Sequence, residues 1–260
     1  MIKLGSDNIR MREYIYSLLD LSNAKAILDI GCGYGYDLWR IGQIVGDNTR
    51  LVGIDVSSKA IEHAISDTKD DSRYSFSVVD LSSGLPFERE TFDIVFSNNF
   101  LECITDKDSL VKEIHRVLRQ NGQVVFAHFD WDSQLINGSD KTTIQKIVQT
   151  FNNWKQDWMA DCDAWMGRRL WGIFNRSGLF KGNIYTYVLT NTEFTPECYG
   201  YCRIKDMEAL IRHGMIQKEE YERFYKDIKE LADKGEYFYS ITMYIYVGRK
   251  VRFDKERETL

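Results

Sequence analysis

The chain has 260 residues, 43% apolar and 28% charged, with only two prolines, a composition of an ordered globular protein with one core and an elaboration rather than a solvated tail. Its 34 basic and 39 acidic side chains leave a net charge of −5, without the basic excess that counterion-driven nucleic-acid binding needs. No stretch approaches the roughly 20 apolar residues of a bilayer span, and the start from Met1 to Asp7 lacks a signal peptide's apolar core, so a cytoplasmic protein with no membrane or nucleic-acid partner is expected.

Up to residue 130 the chain alternates short apolar runs with helical patterns, which predicts an α/β fold with a mostly parallel sheet covered on both faces. Helices are expected around residues 8 to 20, 36 to 45, 58 to 66 and 108 to 120. Between them lie strands over Ala26–Ile30, Leu51–Asp55, Tyr74–Val79, Phe92–Phe96 and Gln123–His128. In the last of these helices Leu110, Val111, Ile114, Val117 and Leu118 share one face, and Asn121-Gly122 supplies a left-handed stop. Beyond Phe129 the rhythm changes. Ile144 through Trp158 reads as one long helix, Arg168–Ser177 as another and Ile184–Leu189 as a strand. A helical pair follows around Met207–Ile211 and Tyr221–Leu231, then a strand from Phe238 to Val247. This divides the chain into a core over residues 1–130, cap insertions with strand six over 131–235, a closing strand over 236–250 and a charged tail over 251–260.

Five scattered cysteines and four dispersed histidines complete no tetrahedral metal set, so free thiols and no metal are expected. Asp29-Ile30-Gly31-Cys32-Gly33-Tyr34-Gly35 follows the first strand and opens a helix, where the backbone must turn tightly and admit a ligand. Twenty residues on, Asp55 ends the second strand, where a carboxylate can accept both hydroxyls of a ribose. Together they point to an adenosine-containing ligand. The nicotinamide fingerprint would need Gly or Ala where this chain has Tyr36, which favours a cofactor without a pyrophosphate.

At this point residues 27 to 128 resemble the class I S-adenosylmethionine-dependent methyltransferases, especially those of small molecules. The resemblance rests on Ile27–Gly35, Val52–Ser57, Val79-Asp80-Leu81, Leu85-Pro86-Phe87 with Phe92–Val95, Leu101–Ile104 and Arg116–Gly122, all in the family's order. It implies a Rossmann-like fold, a seven-stranded sheet of order 3-2-1-4-5-7-6 with the seventh strand antiparallel, capped by helices after strand five and between strands six and seven. By the same resemblance Asp29 orders the glycine loop and the methionine amino end, and Gly31, Gly33 and Gly35 leave space for S-adenosyl-L-methionine. Asp55 holds the ribose, Val56 packs on adenine, Asp80 and the Leu81 amide meet the adenine edge, and Asn98 faces the methionine portion. Asp29 and Asp80 also suit helix capping, and Val56 suits a core. Cys103 stands where many relatives carry His.

Methyl transfer from a sulfonium demands alignment and exclusion of water more than a fixed catalytic dyad. His128 and Asp130, leaving strand five, are the candidates to touch substrate, with packing the alternative for His128. Residues 154 to 171 are expected to build the acceptor chamber, in which Trp131, Trp158, Arg168 and Arg169 would bind an amine or amino-acid-like molecule. Charges on a helix are otherwise its wet face, and an aromatic stripe is otherwise core. A nicotinamide oxidoreductase and a non-catalytic S-adenosylmethionine-binding protein are the competing readings.

Overall fold

A computed structural model describes residues 4–251, so the expected tail lies, apart from Val251, outside the described residues. Strands β1 (Ala26–Ile30), β2 (Arg50–Asp55), β3 (Tyr74–Val78), β4 (Phe92–Asn98), β5 (Leu118–Ile136), β6 (Phe180–Asn191) and β7 (Tyr239–Lys250) form one sheet of order 3-2-1-4-5-7-6. β1 to β5 pair in parallel, and β7 runs antiparallel to both β5 and β6. The helices are α1 (Ser6–Ser17), α2 (Tyr36–Gly42), α3 (Ser58–Thr68), α4 (Lys107–Val117), α5 (Lys141–Asn152), α6 (Met166–Arg176), α7 (Tyr199–Asp206), α8 (Ala209–Arg212) and α9 (Lys218–Asp233).

Alternation along each strand feeds two cores. Ile27 packs with α1 and α2 on one face, whereas its neighbour Leu28 packs with α4 and α6 on the other. Val125, Ala127 and Phe129 of β5 join the first core, Val124 and Phe126 the second. Because both faces are covered, all five residues of β1 are buried, and the strand reads as an unbroken apolar run interrupted only by Asp29.

Of the expected boundaries that move, three bear on the site. β5 continues to Ile136, past the division at residue 130, with a register break between Asp130 and Leu135. Ser133 fills the break, its hydroxyl accepting from Thr242 N at 2.9 Å. The long helix expected through Trp158 stops at Asn152, whose amide donates to Trp131 O at 2.8 Å and ties the helix end to the β5 break. Trp154 therefore leaves the helix and packs on His213 with ring centroids 4.5 Å apart. The fourth expected helix ends at Val117, and Asn121 takes its left-handed conformation (φ 62°) inside the start of β5, where the register against β4 shifts between Leu118 and Gln123.

Candidate active site

The site is built where β1, β2 and β4 end. Gly31 N and Cys32 N both donate to Ile54 O, at 2.8 and 3.0 Å, folding the glycine loop over the tip of β2. Gly31 has φ 73°, and a Cβ there would collide with the Phe100 ring. Gly33 (φ 51°) has nothing within 4 Å of where a Cβ would be, so the backbone there borders open space. Gly35 (φ 75°) is the N-cap of α2.

Asp55 braces this loop. Its Oδ2 accepts from Gly33 N and its Oδ1 from Ser57 N, both at 2.9 Å. A carboxylate offers about four lone-pair sites, so capacity remains for ligand hydroxyls. Val56 beside it is 64% exposed, an uncovered apolar side chain rather than a core residue. Asp80 caps a single 3-10 turn through a 2.9 Å bond to Ser82 N, and half-buried Leu81 begins that turn.

Behind the loop lies a charged nest that the sequence reading did not assemble. Asp37, at the start of α2, accepts from the Arg12 guanidinium and from the Tyr16 hydroxyl. Asn98 donates to the same carboxylate at 3.4 Å. Arg12 and Tyr16 sit four residues apart on one face of α1, a spacing that signals a shared partner. Burial opposes the Arg12 charge, but the charge and hydrogen bonds of Asp37, with Tyr16, hold its pKa above the ordinary value. Asp29 lies next to this nest. Burial, then the charge of Asp37, raise its carboxyl well above the usual range, with Arg12 opposing.

Two acceptors there are buried without a protein partner: Oδ2 of Asp29 and Oδ1 of Asn98. An unsatisfied buried acceptor costs about 1–3 kcal/mol. A ligand ammonium group, with several N–H donors and a positive charge, would satisfy such acceptors and draw the Asp29 proton off. The methionine end of S-adenosylmethionine carries such a group, so these residues fit that cofactor.

The proposed substrate residues divide. Trp131 donates from Nε1 to Glu102 Oε2 at 2.6 Å, and the Arg203 guanidinium lies over its ring at 5.5 Å. Asp130, expected to touch substrate, is wholly buried and holds Arg168 through the side chain and, at 3.1 Å, through Arg168 N. The pair fastens the start of α6 to β5 and occupies both partners, because Asp130 points to the α4 and α6 side of the sheet. Arg169 is turned to Asp163 at 2.7 Å. Trp158 is 64% exposed in the connection after α5, its Nε1 bonded to Gln156. A cavity of about 920 Å³ opens near α4 and α6, lined in part by Lys107, Cys162, Trp165, Arg169 and Trp171, with no glycine-loop residue in its wall.

His128 is 1% exposed and donates from Nδ1 to Phe129 O at 2.8 Å, which leaves Nε2 as a lone-pair acceptor. Nε2 has no hydrogen-bond partner and lies 3.9 Å from Glu102 Oε1. That contact is an ion pair only with a protonated ring, and burial pushes His128 down to about 4 despite the bond to Phe129. We therefore read it as a neutral imidazole beside a carboxyl. Burial, partly offset by the Trp131 bond and Arg203, lifts that carboxyl to about 7.

The depressed His128 pKa sets a stability window. The ordinary value is 6.5, so the neutral buried ring contributes its full stability above about pH 6.5 and loses it as pH falls toward 4. The loss amounts to about 3 kcal/mol. The His128→Asn variant is expected to show a shallower decline of unfolding free energy between those pH values in urea titrations; an unchanged slope would mean that the ring is protonated in the folded protein.

A family profile described as "Methyltransferase domain" matches residues 21–197. A 37.1 kDa protein of transposon TN4556 from Streptomyces fradiae is 32% identical over 243 residues, covering 92% of this chain and 67% of that protein. Methyltransferase GfsG of Streptomyces halstedii is 30% identical over 121 residues, 45% of this chain and 42% of its own length. Among solved structures the MccD protein superposes with a TM-score of 0.60 at 18% identity, over 96% of this chain and 100% of that one, a likeness of fold. With the profile spanning more than half of its length, the glycine loop included, the chain belongs to the class I S-adenosylmethionine-dependent methyltransferases.

Proposed function

We propose that the protein transfers the methyl group of S-adenosylmethionine to a small-molecule acceptor, an amine or amino-acid-like compound, seated beyond the ends of β4 and β5. The observation that carries this reading is the pair of buried, unpartnered acceptors on Asp29 and Asn98 beside a glycine loop braced by Asp55. In it, Asp29 and Asn98 take the methionine ammonium, Gly31, Gly33 and Gly35 give the backbone clearance, and Asp55 accepts the ribose hydroxyls. Val56 covers one face of the adenine, with Asp80 and the Leu81 amide at its edge.

Bound S-adenosylmethionine supplies an electrophilic methyl on a sulfonium that departs as a neutral thioether. The protein's share of the work is to position the acceptor in line and keep water out. The acidic and basic groups around Trp131, with Glu102 on one side and Arg203 on the other, suit an acceptor that bears both charges. The nicotinamide reading has less support, because Tyr36 stands where that fingerprint needs a small residue.

Calorimetric titration should give saturable binding of S-adenosylmethionine and S-adenosylhomocysteine and none of NADH; the opposite pattern would overturn the cofactor assignment. Incubation with methyl-labelled donor and a metabolite extract should yield a labelled small molecule by mass spectrometry. Donor binding without any labelled product would favour the non-catalytic reading.

A further inference from the structure

Glu102 lies on the single 3-10 turn Leu101–Cys103, directly after the strand end that carries Asn98. Its side chain is buried, clamped at Oε2 by the Trp131 indole, with Oε1 facing the unpartnered Nε2 of His128 across 3.9 Å. The imidazole is nine-tenths buried and more, and the Phe129 carbonyl fixes its tautomer so that a lone pair, not a proton, points at the carboxyl. A carboxylic acid needs a shift of only about 1 Å at its soft terminal torsion to donate to that lone pair. The deprotonated form has the indole N–H instead. Each protonation state thus has a waiting partner, an arrangement that a purely packing carboxyl does not require.

We propose that Glu102, positioned by Trp131 and His128, is the base that takes the proton from the acceptor, and that the acceptor's nucleophile is therefore an amine arriving as its ammonium ion. The proposal rests on the methyl-transfer reading. In the step, an N–H bond of the ammonium breaks and its proton passes to a Glu102 oxygen. The freed nitrogen pair forms the bond to the methyl carbon, and the carbon–sulfur pair returns to sulfur, leaving a methylammonium product, a neutral thioether and a protonated Glu102 that discharges to solvent. His128 acts through Glu102 as a positioning residue.

Charged and titratable groups surround the pair from each packed element: Arg203 of α7 and Lys107 of α4 favour the carboxylate, while Asp163 before α6 disfavours it. Asp130 and Asp163 act on His128 in favour of its charged form and Lys107 against it, each less than burial does. Cys103 adjoins Glu102, and its thiol is raised to about 12 by burial first and by Glu102 second. The carboxyl ionises near neutrality, where such a base is most effective.

The test has two arms on the full chain. In the first, nitrogen-15 spectra of the histidines are followed against pH without any acceptor. The His128 Nε2 resonance should show an inflection near pH 7 reporting Glu102, and this should vanish in Glu102→Gln; its absence in the wild type would overturn the pair. In the second, methyl-labelled donor is offered with ethanolamine, glycine and putrescine as amine probes, with catechol and benzoate beside them, and then with the metabolite extract. Label should appear on nitrogen, with an acid limb near pH 7. Glu102→Gln should lose at least about a hundredfold in turnover while donor affinity stays within about twofold, and His128→Asn should move the limb to lower pH. Label on oxygen, sulfur or carbon alone, or an unaltered rate in Glu102→Gln, would overturn the proposal. Failure of the donor to bind would instead remove the methyl-transfer reading, and the first arm would still decide whether Glu102 and His128 are coupled.

Discussion

Arg168→Ala is expected to lower the melting temperature by about 5–12 °C while leaving S-adenosylmethionine affinity within about twofold. Asp130 is wholly buried, and apart from Arg168 N its carboxylate depends on the Arg168 guanidinium. Removing one partner of a buried ion pair strands the other charge, at a cost of about 3–5 kcal/mol. Here the cost falls to about 2–4 kcal/mol, because Arg168 is itself 44% exposed and water can replace part of it. In a chain of this size each kcal/mol moves the midpoint by about 2–4 °C. Gly167 adds a constraint, since a Cβ there would press on Asp130 backbone at 2.7 Å, so α6 cannot slide to relieve the loss. Scanning calorimetry checks the shift, and Asp130→Asn gives the complement. If Asp130→Asn kept its melting temperature but abolished turnover, the carboxylate would be serving the reaction and not the helix.

The difference between Asp29 and Asp130 explains what a sequence can disclose. Asp29 interrupts an apolar run immediately before a glycine loop, and strand ends in an open α/β sheet are where ligands lie, so local pattern and topology point the same way. The strands themselves followed from the same regularity, each spelled by a short apolar run, whereas their order came only from the resemblance to the methyltransferase family. Asp130 also ends an apolar run, at the register break within β5, yet its neighbour in space is 38 residues away in α6. Nothing in the spacing of Asp130 and Arg168 announces that they pair, because the intervening connection has no fixed period. The same holds for Arg12 of α1 and Asp37 of α2, 25 residues apart in the chain. Only the i, i+4 relation of Arg12 and Tyr16 was available as a hint.

Trp158 shows another limit. Ile144, Ile147, Val148, Phe151 and Trp154 keep helical spacing, and the periodicity runs on toward Trp158. What ends the helix at Asn152 is tertiary: the Asn152 amide is drawn to the Trp131 carbonyl and to the Gln134 amide at the β5 break. Glu102 was visible as part of a family-like segment, but its meaning depends on burial and on His128 and Trp131 arriving from a different strand. Residue type and order indicate where a ligand sits; which carboxyls remain available to it is decided by partners that the fold recruits from afar.

Asp55→Ala is expected to weaken S-adenosylmethionine binding by about ten- to a hundredfold, measured by calorimetry. A hydrogen bond to a charged group contributes about 1.5–3 kcal/mol, and each 1.4 kcal/mol is a factor of ten. Asp55 acts twice over: besides any bonds to ribose hydroxyls, it holds Gly33 N and Ser57 N, so its loss frees the loop that the ligand must find ordered. Asp55→Asn separates the two contributions. The amide retains one acceptor oxygen for the loop but gives up the charge and the second acceptor, so it should lie between wild type and Asp55→Ala. Asp80→Ala is the control: Asp80 is exposed and braces only a single turn, so its effect should be the smaller. Affinity unchanged in Asp55→Ala would mean that the nucleoside is held elsewhere, and the assignment of the β2 end as the ribose site would fall with it.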